Sequence, residues 1–148
     1  QLIRQYEKTG TTIVGCQLVA KEQVSSYGII DGKPERDSDL MKVSDMIEKP
    51  SVVKAPSRFV ALGRYVITPY IFSILEESKP GKGGEIRLTD ALRVLARNGK
   101  VYAYNFKGQR YDTGNKLGYL KAVVEFALRR EDLGADFRAY LKEIVGAM

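Results

Sequence analysis

Phe59-Val60-Ala61-Leu62-Gly63-Arg64-Tyr65-Val66-Ile67, followed at once by Thr68-Pro69, is the stretch on which the fold class turns. The apolar run predicts a strand. Thr68 then predicts a helix cap with Pro69 at the first helical position, the helix running to about Glu77. Downstream, Leu88 to Asn98 predicts an amphipathic helix closed by Gly99, and Val101 to Phe106 alternates as a strand. Lys116 to Arg129 predicts another helix, and Leu133 to Val145 a last one weakened by Gly134. Upstream, Gln1 to Glu7 is helical in pattern and stops at Thr9-Gly10. Thr11 to Ala20 predicts a buried strand, and Lys21 to Ser26 a short helical turn leading into Tyr27-Gly28-Ile29-Ile30. Asp31-Gly32 signals a turn, Lys33 to Asp39 a mobile polar excursion, and Leu40 to Ile47 a strand ending at Glu48-Lys49-Pro50. Strands separated by helices imply α/β layering.

The 148 residues suffice for one domain with a proper core. Hydrophobic residues make up 44% and charged residues 28%, a globular balance. The net charge of +6 suits either an anionic partner or a solubilising surface excess. No tract holds five like charges in a row, which argues against a nucleic-acid arm. Histidine is absent, which excludes Ser-His and Cys-His catalysis within this chain and any His-containing zinc site. The single Cys16 lies in an apolar run, as a core filler does, and cannot form an internal disulfide. No apolar stretch is long enough to span a membrane and no signal-peptide pattern opens the chain, so a cytoplasmic location is expected.

Glu48-Lys49-Pro50 sets a carboxylate and an ammonium at a strand end bent by proline. The carboxylate can accept sugar hydroxyls and the lysine can meet a phosphate; an exposed, solvated ion pair explains the same residues. Asp112, in Tyr111-Asp112-Thr113-Gly114, either binds Mg²⁺ or a sugar hydroxyl or caps the following turn. Five basic residues stand against one acid between Lys100 and Lys121, a surface suited to phosphates. Tyr27-Gly28 permits close approach of a ligand to the backbone, or is plain turn geometry. Tyr65, Tyr102 and Tyr104 are expected at the core and rim of strands. Gly81 to Gly84 lies between two helices, the wrong context for a phosphate-binding loop.

In order, Val24-Ser25-Ser26-Tyr27-Gly28-Ile29-Ile30, Ile47-Glu48-Lys49-Pro50 and Ala61 to Pro69 resemble strings of the bacterial UTP–glucose-1-phosphate uridylyltransferases (UDP-glucose pyrophosphorylases). So do Gly83-Gly84-Glu85-Ile86-Arg87-Leu88-Thr89-Asp90-Ala91 and Tyr111-Asp112-Thr113-Gly114-Asn115-Lys116-Leu117-Gly118-Tyr119-Leu120-Lys121-Ala122. The resemblance implies a Rossmann-like nucleotide-diphospho-sugar transferase fold, a mixed sheet flanked by helices. It implies that residues 1–148 are the C-terminal, sugar-phosphate-binding portion of a single nucleotidyltransferase domain, with C-terminal helices over 116–145. About the first half of such an enzyme would then be missing: the nucleotide-phosphate loop, the uracil contacts, a catalytic basic residue and a Mg²⁺-binding aspartate.

By the same resemblance Gly28 and Glu48 contact glucose, Lys49 meets the sugar phosphate and acts in catalysis, and Asp112 holds the metal or the sugar region. Glu85 and Asp90 match family positions as structural residues. The implied reaction joins glucose-1-phosphate to UTP with Mg²⁺, giving UDP-glucose and pyrophosphate, and this chain alone is expected to have little activity. A thymidylyl- or adenylyltransferase of the same fold, and a catalytically dead sugar-phosphate-binding or assembly module, are the competing readings. A nucleic-acid binder is disfavoured because stacking aromatics are not interleaved with the basic residues. A sheet that has lost strands leaves an open edge and apolar surface, so a homo-oligomer is expected. Among the C-terminal helices, Leu117, Leu120, Val124 and Leu128 are expected in the core; Phe137, Leu141 and Ile144 are open between core and interface.

Overall fold

The computed structural model describes residues 1–36, 38–81 and 84–147. Five strands, β1 (Thr12–Leu18), β2 (Gly28–Pro34), β3 (Leu40–Glu48), β4 (Phe59–Val66) and β5 (Val101–Asn105), form one mixed sheet. Five helices accompany them: α1 (Leu2–Thr9), α2 (Ile71–Glu77), α3 (Leu88–Arg97), α4 (Lys116–Leu128) and α5 (Gly134–Gly146), with a 3₁₀ turn over Lys21–Ser26. Strand β1 runs antiparallel to β4 and parallel to β5, while β3 runs antiparallel to both β2 and β5. The pair Ile29↔Val60 joins β2 to β4, and the sheet closes into a ring in the order β1-β4-β2-β3-β5. The expected open edge is therefore absent among the described strands. Closure removes the unpaired backbone row that an edge would present.

The α/β class and the mixed, helix-flanked sheet are as the sequence implies. The chain divides into two compact units, Gln1–Lys107 and Gly108–Met148. The first holds the sheet and its cores. Val14, Cys16, Ile30, Met41, Val43, Met46, Val101 and Ala103 pack with Ile71 of α2 and with Ala91, Leu92, Leu95 and Ala96 of α3. Val24, Ile29 and Val60 form a second, smaller core. Helix α3 lies against β3, where Asp45 accepts from Arg93 Nε at 2.7 Å and from Arg97 Nη2 at 3.0 Å. The two guanidiniums hold the Asp45 carboxyl down at about 2. In the second unit α4 and α5 pack on each other. No helix among the described residues is long and apolar enough to cross a membrane.

Several local expectations need correction. Asp31-Gly32 is no turn: β2 continues through it to Pro34, with a bulge between the two residues. A Cβ at Gly32 would stand 2.6 Å from Lys42 O, so the close strand approach demands glycine. Lys33 and Pro34 pair with Lys42 and Met41 instead of forming an excursion; Asp37 lies outside the described residues, as do Lys82 and Gly83 of the glycine-rich loop. Thr68 does not cap α2, whose N-cap is Tyr70. Its hydroxyl bonds that of the buried Thr12 at 3.2 Å, tying the exit of β4 to β1. Gly134 is the first residue of α5, and a Cβ there would meet Leu128 O at 2.6 Å. In α4 the core assignment fails for Leu117 and Leu120, which are 61% and 58% exposed, whereas Val124 and Leu128 are half-buried.

Candidate functional site

The first unit brings Gly28, Glu48 and Lys49 together where β2 begins and β3 ends. Gly28 and Glu48 are register partners, and Lys49 N–H donates to Tyr27 O at 3.0 Å, extending the ladder by one bond. Gly28 is buried in extended strand, so turn geometry is not what requires it. The requirement is space. A Cβ there would come within 3.2 Å of Glu48 Oε2 and 3.6 Å of Thr89 Cγ2. The missing side chain is what lets the Glu48 carboxylate lie over β2.

Glu48 is 23% exposed and Lys49 63%, so the carboxylate is sheltered and the ammonium is open. Lys49 Nζ stands 3.9 Å from Glu48 Oε1, leaving room for a third group to join the pair. Lys49 has φ +44°, the one positive φ outside glycine among the described residues. An L-residue there carries strain of about 1–2 kcal/mol. The ladder bond before it and the buried Pro50 after it hold the chain in that shape. On the other side of the carboxylate, Thr89 Oγ1 of α3 donates to Glu48 Oε2 at 2.8 Å. Burial pushes the Tyr65 phenol above the ordinary range, and the charge of Glu48 adds to the rise. The sequence did not suggest Thr89 as part of this cluster. Thr89 is 41 residues from Glu48, and only the docking of α3 unites them.

In the second unit Asp112 caps the turn that follows it, one of the two roles left open for it. Its Oδ1 accepts from Gly114 N at 3.0 Å, making an Asx turn, while Oδ2 lies 3.6 Å from Arg110 Nη2. The cap of α4 itself is Asn115, whose Oδ1 accepts from Gly118 N at 2.7 Å and whose Nδ2 donates to Asp112 O at 3.2 Å. A Cβ at Gly118 would collide with Asp112 O, so glycine is required for α4 to start against this turn. Asp112 also lines a groove of about 590 Å³ with Gln109, Arg110, Tyr111 and Lys121. Magnesium takes six oxygens, commonly one or two carboxylates plus substrate phosphates. No group of three metal-ligating side chains gathers among the described residues. Asp112 alone does not make a resident metal site; it fits as one ligand to an ion carried in with phosphates.

One strand end thus holds a sheltered carboxylate, an open ammonium and a side-chain-free backbone. The nucleotidyl transferase family matches this chain over residues 1–128. The chain belongs to that family. A curated relative, UTP–glucose-1-phosphate uridylyltransferase 1 of Staphylococcus saprophyticus, is 43% identical over 144 residues, covering 97% of this chain and 50% of the relative. Among solved structures, a UDP-glucose pyrophosphorylase complexed with UDP-glucose is 44% identical with a TM-score of 0.79, over 86% of this chain and 48% of that one. UTP-bound UGPase from Acinetobacter baumannii is 34% identical with a TM-score of 0.83, over 96% and 48%. This nucleotidyl transferase chain thus spans about half the length of the relatives it matches. The Glu48–Lys49–Gly28 cluster and Asp112 all fall within the matched residues.

Proposed function

We propose that the protein containing this chain transfers a uridylyl group from UTP to glucose-1-phosphate, giving UDP-glucose and pyrophosphate. Residues 1–148 supply the sugar-phosphate side of the site. The observation that carries the reading is the Glu48–Lys49 pair: a sheltered carboxylate fixed by Thr89 beside an exposed, conformationally held ammonium. It is supported by the 43% identity to a protein bearing the uridylyltransferase name.

In this reading Glu48 accepts hydrogen bonds from glucose hydroxyls, and Gly28 leaves the sugar and the carboxylate room at the strand end. Lys49 sets its charge against the sugar phosphate. A phosphate oxygen of glucose-1-phosphate attacks the α-phosphorus of UTP. A new P–O bond forms, the α–β anhydride bond breaks, and its electrons leave with pyrophosphate. Lys49 lowers the repulsion between two anionic reactants and holds the attacking oxygen in line, which is the main work in phosphoryl chemistry of this kind. Magnesium, when bound, neutralises triphosphate charge, and Asp112 would give it one oxygen. The enzyme is taken to be a cytoplasmic homo-oligomer, the exposed Leu117 and Leu120 suiting self-association.

The test is pyrophosphate release by the full-length protein with UTP, glucose-1-phosphate and Mg²⁺, with dTTP and ATP as alternatives. UTP-dependent release is expected, lost with Lys49→Ala. Preference for another nucleotide would reassign the base, and no release with any of the three would overturn the reading.

A further inference from the structure

We propose that Thr89 is a positioning residue for sugar recognition, its hydroxyl locking the Glu48 carboxylate in the orientation that meets the sugar. The proposal rests on the function given above and adds to it a residue that touches no substrate. A glutamate at a strand end has three rotatable bonds, and fixing so flexible a side chain costs conformational entropy. Two features fix it here. Glu48 Oε2 lies over the space left by Gly28, and Thr89 Oγ1 donates to the same oxygen at 2.8 Å. That leaves Oε1 on the side of Lys49.

Thr89 is itself well held. It is β-branched and stiff about χ1. Helical threonines commonly turn the hydroxyl back to their own helix, but this one reaches across to β3. Thr89, Arg93 and Arg97 follow at a spacing of four, so they share one face of α3. All three meet carboxylates of β3: Thr89 takes Glu48, while Arg93 and Arg97 take Asp45. Leu92 and Leu95, both fully buried, seat the helix. The Asp45 clamp thereby sets the height of α3 along β3, and with it the place of the Thr89 hydroxyl.

The experiment uses the full-length protein with glucose-1-phosphate as the varied substrate and as the ligand in direct titrations. Thr89→Val keeps the shape and removes the donor; Thr89→Ser restores it. A hydrogen bond to a charged group is worth about tenfold or more in binding. T89V is expected to raise KM and Kd for glucose-1-phosphate about tenfold, with kcat and KM for UTP little changed. T89S is expected to return within about threefold of wild type, a loss smaller than the bond itself. In a Glu48→Ala background T89V is expected to add nothing, because the oxygen it positions is gone. T89V equal to wild type, or a full tenfold loss persisting in the Glu48→Ala background, would overturn the proposal. Should T89V not fold, Thr89→Ala carries the same comparison. If wild type releases no pyrophosphate, the proposed reaction falls but titration still decides the positioning role: unequal T89V and T89S affinities sustain it, equal ones overturn it. A wild type that binds no glucose-1-phosphate overturns both.

Discussion

Lys49 combines a strained backbone with an exposed charge, and the two have separable consequences. Its φ of +44° disfavours any side chain with a Cβ, so Lys49→Gly relieves strain that Lys49→Ala retains. K49G is expected to unfold at higher denaturant than K49A, by about 1 kcal/mol, while both lose the ammonium and most turnover. Equal stability of the two variants would show that the backbone there is relaxed, and near-normal turnover of either would remove Lys49 from the chemistry. Gly28 gives the complementary case. Gly28→Ala puts a methyl 3.2 Å from Glu48 Oε2, so the carboxylate must shift by a few tenths of an ångström. Since the shift falls on the side chain proposed to meet the sugar, KM for glucose-1-phosphate is expected to rise several-fold with little change in the melting midpoint. A large fall in midpoint with an unchanged KM would place the burden on strand packing instead.

At the scale of elements, α3 is the part that organises the site, and its attachment to β3 is pH-sensitive. The Asp45 carboxyl is held at about 2 by Arg93 first and Arg97 after it. A depressed carboxyl adds stability that is fully present above its unfolded value near 4 and is lost as pH falls through about 2. With the clamp partly exposed to solvent, about 1–2 kcal/mol is expected between pH 4 and pH 2. Urea midpoints across that window should fall more steeply for wild type than for Asp45→Asn, and parallel curves would show that the clamp contributes nothing. The elements themselves were largely legible, because strands such as Val101–Asn105 and helices such as Lys116–Leu128 carry their own periodicity. Failures came where a neighbour decides. Asp31-Gly32 has the composition of a turn, yet Lys42 O across the sheet makes it a bulge. Thr68 has the chemistry of a cap, yet Thr12 from β1 claims its hydroxyl. Of the site, Glu48, Lys49 and Gly28 stand on adjoining strands and were readable as motifs; Thr89 was not, since no local spacing links it to Glu48.

At the scale of the whole molecule, the apolar core is unevenly divided. Residues Gln1–Lys107 contain the closed sheet, both cores and the α3 clamp, whereas in α4 and α5 only Ala122 and Gly134 are buried. Burial at roughly 25 cal/mol per Å² of apolar surface is the main force set against chain entropy. The first unit therefore has what independent folding requires, and the second, with its groove-side Leu120 exposed, does not. Cys16, the lone cysteine, reports on this directly. It is fully buried in β1, and burial pushes its thiol up to about 12, so in the folded state it is both screened and protonated. A polypeptide of residues 1–107 is expected to unfold cooperatively and to protect Cys16 from a thiol reagent as well as the 148-residue chain does. A polypeptide of residues 108–148 is expected to show little stable helix in water, since isolated helices of 13 residues are marginal. Rapid Cys16 labelling in the 1–107 polypeptide at low denaturant would mean that the ring of strands does not close without the C-terminal helices, and that the two units are one cooperative structure.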